Sequence, residues 1–168
     1  VVTNILKDHQ NRYTSMEEYI ADKRAICEEQ REWDFTILNF DDPVVRDFEN
    51  ATPAHPLFFS CGKPHSGFRG AWLEGDRGMA HISGREEPIL DPTLSIPGRH
   101  NRINMLTAGL ALRAFGIEAE DIRDGLSSFP GLPHRLELVG SISGIRYVND
   151  SAATIPDATV CAVESFDD

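Results

Sequence analysis

Residues 129–154 read FPGLPHRLELVGSISGIRYVNDSAAT, and in this stretch two short apolar runs lie among closely spaced polar side chains. Leu136 to Ile142 and Ile145 to Val148 alternate well enough for two strands, and the Ser143-Gly144 pair between them predicts a β-hairpin. The polar residues around it are His134, Arg135, Glu137, Asn149, Asp150 and Ser151. This density of polar groups beside strands suggests a functional site; the alternative is an ordinary exposed hairpin with solvated charges.

Two further polar clusters lie upstream. Val1 to Leu6 reads as a buried strand that runs directly into the polar segment 7–13, and in open α/β sheets ligands bind at the loops that follow strands. Residues 98–104, GRHNRIN, open a helical pattern with Leu106, Leu110 and Ala111 on one face. The amino terminus of such a helix favours anions, because its first N–H groups lack intrahelical partners and the helix dipole adds partial positive charge.

The pattern between these clusters predicts an α/β fold. Ser15 and Glu18 form a capping-box pattern for a helix that runs to about Gln30, and residues 35–40 read as a buried strand, which is one step of a doubly wound sheet. From residue 57 to 96 short β runs, separated by glycine and proline, indicate a small, mostly antiparallel layer attached to that sheet. Helices are predicted over about 102–115 and 119–127. Residues 130–133, Pro-Gly-Leu-Pro, have the chemistry of a linker and mark a domain boundary.

The three clusters, in this order, resemble the Mur ligase family. The matching pieces are TNILKDHQNRY with YIADK, GRHNRIN, and FPGLPHRLELV followed by YVNDSAAT, and they extend over most of the 168 residues. The resemblance implies that residues 1–132 are the later part of a central ATP-binding domain with a parallel, doubly wound, P-loop-type sheet. Residues 133–168 would then be the first hairpin and helix of a Rossmann-like carboxyl-terminal domain.

The sequence is expected to be a piece of a longer enzyme. It opens inside an apolar strand without an initiator Met, and it contains no G-x-x-x-x-G-K-[ST] phosphate loop. The nearest match, Cys61-Gly62-Lys63, lacks the glycine and the Ser or Thr that a phosphate loop needs. We therefore expect an incomplete ATP site and no ligase turnover from these residues alone.

Composition limits the classes of partner. The formal net charge of −11 argues against nucleic acid and anionic membranes, because both require a basic surface. Anionic substrates would have to be bound by local positive groups such as Arg135. The three cysteines, without C-x-x-C spacing, indicate a reducing compartment rather than a disulfide framework or a zinc site. No signal peptide or membrane-spanning run is visible, so a cytoplasmic protein is expected, and the parent enzyme is expected to be monomeric.

Lys23 falls on the apolar stripe of its own helix. The stripe consists of Met16, Tyr19, Ile20, Ile26 and Cys27. Burial there would disfavour the ammonium form and leave a nucleophilic amine, whereas the alternative is a snorkelling side chain or an ion pair with Asp22 or Asp8. The resemblance implies that Lys23 is carbamylated by CO2 and, with His9, holds Mg²⁺ as part of the catalytic machinery. By itself, His9 would be an ordinary hydrogen-bonded loop histidine.

The resemblance also implies roles for residues in the second and third clusters. Asn101 and Asn104 would lie near the adenine of ATP, where amide edges offer a donor and an acceptor; capping of their own helix is the alternative. Arg135 would bind phosphate through its forked donors and Asp150 the ribose hydroxyls, after domain closure. Thr154 matches a position that contacts the incoming D-glutamate, and Ser151 lies beside it.

One position departs from the family pattern. The family motif usually reads N-D-S-K-A-T, and Ala152 stands where that pattern has lysine. The missing ammonium removes a partner for a carboxylate or a pyrophosphate. The identity of the added amino acid, or the way in which it is anchored, therefore stays open.

The activity that the resemblance implies is that of an ATP- and Mg²⁺-dependent amide ligase in peptidoglycan precursor synthesis. It would add D-glutamate to UDP-N-acetylmuramoyl-L-alanine through an acyl phosphate. Another Mur ligase or a folylpolyglutamate synthase relative is the nearest alternative. The alternatives from other classes are a non-catalytic nucleotide-sugar-binding module and a metal-dependent hydrolase built on Asp8 and His9.

Overall fold

The computed structural model describes residues 1–8, 11–82 and 84–166. A short 3-10 turn, Phe48–Asn50, follows the second helix. The elements in chain order are α1 (Met16–Glu28), β1 (Phe35–Asn39), α2 (Pro43–Asp47), β2 (His55–Ser60), β3 (Gly70–Glu74), β4 (Arg77–His81), β5 (Glu86–Leu90), α3 (Arg99–Ala114), α4 (Ala119–Ser127), β6 (Glu137–Ile142), β7 (Ile145–Asn149) and α5 (Pro156–Val163).

The first five strands form one mixed sheet in the order β1-β2-β3-β4-β5. β1, β2 and β3 pair in parallel, and β4 pairs antiparallel with both of its neighbours, β3 and β5. The amino-terminal segment continues the parallel part, because Val2 bridges Leu38 and its N–H donates to the carbonyl of Ile37 at 2.9 Å. The expected α/β architecture with a parallel portion is therefore confirmed.

Both faces of the sheet are covered, as a doubly wound arrangement requires. Successive side chains of a strand point to opposite faces, so Ile37 packs with α3 and α4 whereas its neighbour Leu38 packs with α1 and α2. Leu106 and Leu110 of α3 are fully buried against the sheet. Packing α3 in this way puts its first turn at the carboxyl ends of the parallel strands.

The small, mostly antiparallel layer predicted over residues 57–96 is present, because β4 pairs antiparallel with both β3 and β5. It continues the same sheet: β2 and β3 pair in parallel, and β4 is the strand of this sheet that runs in the opposite direction. The β2–β3 pairing is the parallel part of this region, because residues 61–69 make the parallel crossover without a helix. The crossover brings the backbones of β2 and β3 close together at its end. Gly70 pairs with Phe58, and the Phe58 N–H donates to the carbonyl of Arg69 at 3.2 Å.

Helix α1 begins and is capped where the sequence predicts, with two differences. The Glu18 N–H donates to Ser15 Oγ at 3.3 Å, but the Glu18 carboxylate accepts from the N–H and hydroxyl of Thr14 rather than from Ser15. Ile26, assigned to the apolar stripe, is 57% exposed. The buried face is narrower than the stripe because it is set by Tyr19 and Cys27, which pack on Leu38.

An ion pair fastens β5 to α3. Arg113 Nε donates to Glu87 Oε1 at 2.6 Å, and Arg85 Nη2 approaches Glu87 Oε2 at 2.9 Å. Burial raises the pKa of the Glu87 carboxyl, but the two guanidinium groups outweigh it, and the pKa lies below its ordinary value. The pair fixes the far end of α3 and so the direction of its first turn.

The predicted hairpin is confirmed as a separate two-stranded sheet of β6 and β7. Ser143 and Gly144 both have positive φ, 52° and 83°, as the tight turn between right-twisted strands requires. The strands pair from Glu137–Asn149 to Ile142–Ile145, with one bulge after Leu138. This pairing places residues 134–136, before β6, beside residues 149–152, after β7.

Candidate functional site

A cleft of about 260 Å³ lies between the first turns of α3 and the base of the hairpin. It brings together four of the residues singled out in the sequence, Asn101, Asn104, Arg135 and Asp150. Its remaining walls come from the amino-terminal segment, α3, the base of the hairpin, and α5 with the residues before it: Asn4, Leu6, His100, Leu136, Ala152, Ala153, Ile155, Asp157, Ala158 and Cys161. Three segments far apart in sequence thus meet at one place.

A second, more apolar slot of about 330 Å³ adjoins the cleft. Asn101, Asn104 and Arg135 line both spaces, so they form the partition between them. The rest of the slot is lined by Ile96, Met105, Ala108, Leu126, Phe129, Gly131 and Leu132. An apolar slot edged by two amides, beside a cleft with a guanidinium and a carboxylate, suits a flat heterocycle joined to a polar or anionic group.

The first turn of α3 is left open toward the cleft. Its N-cap is Gly98, with φ 93° and no capping side chain. Asn101 Nδ2 donates to the carbonyl of Pro97 at 2.8 Å, which ties the side chain to the preceding turn without capping an N–H of the helix, and its Oδ1 is the atom left for a ligand. Asn104 is exposed, one turn further along.

His100 is the most electrostatically perturbed group of the cleft. Burial lowers the pKa of its ring below the ordinary value; the Asp150 carboxylate opposes this effect, and the Arg135 guanidinium adds to it. The imidazole is therefore neutral at pH 7 and offers one donor and one acceptor to a ligand.

The hairpin end of the cleft is held by hydrogen bonds between its two ends. Asp150 Oδ1 accepts from the Leu136 N–H at 3.1 Å, and the Ala152 N–H donates to the carbonyl of His134 at 3.0 Å. The Ser151 N–H donates to Asn149 Oδ1 at 3.1 Å. Asp150 is thus partly occupied by the backbone, and its Oδ2 is the oxygen available to a ligand.

The other residues predicted for the site lie elsewhere. Ser151 and Thr154 are exposed and do not line the cleft, although their neighbours Ala152, Ala153 and Ile155 do. Lys23 is half-buried on α1, with its Nζ 5.5 Å from the centre of the Tyr19 ring, and it lines neither the cleft nor the slot. His9 lies outside the described residues.

Several cleft residues had no sequence signal of their own. In the sequence, Phe129 is simply an apolar residue and Leu132 a linker position, although both line the slot. Cys161, which lines the cleft, is one of three cysteines without a motif. Asn4, in a run expected to be a buried strand, lines the cleft because the segment after Val2 leaves the sheet. The side chain of Asp42 holds this segment by accepting from the Ile5 N–H at 3.0 Å.

Metal-binding and membrane-spanning features were also sought among residues 1–8, 11–82 and 84–166. Within these ranges no three His, Cys, Asp or Glu side chains are grouped to hold a metal ion. The helices described there are all too short or too polar to cross a bilayer. The three cysteines are free thiols.

Comparison with known proteins gives a family match. A family model described as the Mur ligase middle domain matches residues 1–112. UDP-N-acetylmuramoylalanine–D-glutamate ligase of Pelotomaculum thermopropionicum is 38% identical over 167 residues, which is 99% of this chain and 36% of that protein. The enzyme of the same name from Clostridioides difficile is 36% identical over 166 residues, again 99% of this chain and 36% of that protein. The chain therefore spans little more than a third of the length of these curated relatives.

Solved structures share the fold. MurF from Acinetobacter baumannii superimposes with a TM-score of 0.76 at 18% identity, covering 96% of this chain and 35% of that one. A MurF ligase from Thermotoga maritima, solved in complex with ADP, gives a TM-score of 0.67 at 19% identity, covering 97% and 37% of the two chains. At identities of 18% and 19%, these matches show a shared fold and nothing more.

Proposed function

This chain belongs to the Mur ligase family, and on that premise we propose that it is part of an ATP-dependent ligase that joins D-glutamate to UDP-N-acetylmuramoyl-L-alanine. The names of the relatives at 36–38% identity support this choice within the family. We propose further that residues 1–132 are the later part of the central domain and that residues 133–168 begin the carboxyl-terminal domain. The separate hairpin sheet supports this division.

The observation that carries the proposal is the cleft with its adjoining slot. The slot accepts the adenine between apolar walls, and Asn101 Oδ1 accepts from its amino group, because the amide nitrogen of Asn101 is already bound to Pro97. Arg135 binds phosphate oxygens from the partition. Asp150 Oδ2 accepts from a ribose hydroxyl while Oδ1 holds Leu136. The residues present therefore fit a nucleotide.

ATP supplies the phosphoryl group that activates a carboxylate as an acyl phosphate, and Mg²⁺ neutralises charge on the phosphates. This chain contributes binding and orientation. Arg135 places positive charge beside the phosphates, and the neutral His100 ring adds a hydrogen bond but no charge. Ser151 and Thr154, exposed next to the cleft, are proposed to contact the incoming amino acid. Ala152 supplies no ammonium there, and the cationic side chain that lines the cleft is that of Arg135.

The test is an assay of phosphate release by the full-length protein with ATP, Mg²⁺ and UDP-N-acetylmuramoyl-L-alanine. We expect release that depends on both the nucleotide-sugar and D-glutamate, with L-glutamate and L-lysine as matched alternative amino acids. Release that needs no amino acid would indicate a hydrolase, and release with a different amino acid only would assign the protein to another ligase of the family. ATP binding without release under any condition would favour the non-catalytic module.

The proposal for Lys23 is that it is carbamylated and, with His9, holds Mg²⁺. The Lys23 Nζ lies over the face of the Tyr19 ring, 5.5 Å from its centre, and a negatively charged carbamate beside that ring face would need a cation such as Mg²⁺ next to it. Half-burial on α1 is compatible with either form of the side chain.

Lys23→Ala is expected to lower kcat by about 100-fold, because a carboxylate-like metal ligand is lost, and to abolish any stimulation by bicarbonate. The measurement is the phosphate-release rate with and without added bicarbonate. Arg24→Ala is the control, since Arg24 is the neighbouring cation on α1 and pairs with Glu28 and Asp47 at the surface. A Lys23→Ala enzyme of full activity would exclude the carbamate.

A further inference from the structure

Arg135 lies between two residues in the left-handed backbone region. His134 has φ 66° and Leu136 has φ 47°. Residues with a Cβ adopt this region at a steric cost, and for a bulky residue such as leucine it is an outlier that neighbouring groups must maintain. Two such residues on either side of one arginine indicate that the backbone there is bent to direct the arginine side chain.

Different groups hold the two flanking residues. Leu136 is held by burial, since its side chain is only 7% exposed, and by Asp150, which accepts its N–H. His134 is exposed, with 64% of its side chain accessible, so packing does not hold it. Its conformation must therefore depend on hydrogen bonds.

His134 makes these bonds to the hairpin. Its backbone N–H donates to Glu137 Oε2 at 2.8 Å. Asn149 Nδ2 lies 2.9 Å from His134 Nδ1 and donates to it in the tautomer that carries the ring proton on Nε2; it also lies 3.4 Å from Glu137 Oε2. Glu137 and Asn149 face each other across the first pair of the two strands, so one rung of the hairpin binds both the backbone and the ring of His134.

We propose that Glu137 and Asn149 are positioning residues that direct Arg135 into the cleft by keeping His134 left-handed. The inference rests on the proposed function, because it takes Arg135 to be the phosphate-binding group. If φ at residue 134 reverts to a negative value, the chain that follows rotates, and the Arg135 side chain leaves the partition between cleft and slot. Neither Glu137 nor Asn149 lines that cleft or slot, so their effect is indirect.

The experiment measures the ATP dissociation constant and kcat/KM for ATP in the full-length protein. Glu137→Ala is expected to weaken ATP binding about tenfold, as the loss of one charge-assisted contact would, and Asn149→Ala by somewhat less. Glu49→Ala, an exposed carboxylate on the 3-10 turn, is the matched control and should leave both quantities unchanged. The melting temperature of each variant is recorded alongside.

The decisive variant combines Glu137→Ala with His134→Gly. Glycine adopts the left-handed region without steric cost, so the double variant should regain most of the ATP affinity that Glu137→Ala loses. A merely stabilising role for Glu137 would instead show as a lower melting temperature that glycine does not restore. Normal ATP affinity in Glu137→Ala, together with a loss in Arg135→Ala, would overturn the positioning role alone. A wild-type protein that does not bind ATP would overturn the proposed function instead.

Discussion

Arg135→Ala in the full-length protein is expected to lower kcat/KM for ATP by about 100- to 1,000-fold, the loss typical of removing one preorganised group from a developing charge. Arg135 is the guanidinium that lines both the cleft and the slot, and the net charge of −11 supplies no general field to replace it. The measurement is the rate of phosphate release at varied ATP concentration.

Two variants sharpen this test. Arg135→Lys keeps the positive charge but loses the forked donors, so it should fall between wild type and alanine. Arg146→Ala removes another arginine of the same hairpin, one that stacks on Phe166 and lines neither the cleft nor the slot. Equal losses in Arg146→Ala and Arg135→Ala would show that general charge, rather than the position of Arg135, attracts the nucleotide.

Gly70→Ala is expected to destabilise the protein by about 4 kcal/mol or more, among the largest effects for a single substitution. Gly70 has φ 146°, and a Cβ there would lie 1.8 Å from the carbonyl oxygen of Phe58. Phe58 is its partner in the parallel ladder, so neither chain can move away without breaking the β2–β3 pairing. The measurement is the denaturant midpoint, or the soluble yield if the variant does not fold.

Gly62→Ala is the matched control for this substitution. Gly62 lies in the same crossover, and an added Cβ would meet no atom within 4 Å. We expect a change in the free energy of unfolding within about 1 kcal/mol. Equal stability of the two variants would mean that the close β2–β3 approach does not contribute to folding.

Local signals in the sequence predicted the helices and the hairpin well. The Ser15 cap, the termination of α3 before Gly116, and the Ser143-Gly144 turn each depend on a few adjacent residues, and all three are present in the structure. The pairing of β2 and β3 was not predictable in this way. Strand direction depends on which distant segments meet, and the parallel crossover over residues 61–69 carries no helical pattern.

The candidate site also has a part that the sequence indicated and a part that only the fold creates. The resemblance to the Mur ligases singled out Asn101, Asn104, Arg135 and Asp150, and the structure places all four on one cleft. The slot beside them, the contribution of Asn4, and the pKa of His100 depend on residues that are remote in sequence. The environment of Lys23 is also different from the expected apolar one, because the stripe on α1 is only partly buried.

By itself, therefore, the sequence determined the α/β class, the presence of the hairpin and of the main helices, and the polar residue types available for chemistry, although α3 begins at Arg99 rather than near residue 102. These properties follow from backbone preferences and side-chain periodicity, which act over a few residues. Only the tertiary structure decided that the start of α3 faces the hairpin. It also decided that Arg135, between two residues of positive φ, His134 and Leu136, lines both the cleft and the slot. The burial of the slot, the lowered pKa of His100 and the direction of the Arg135 side chain arise from contacts between distant segments. Such contacts exist only once the chain has folded.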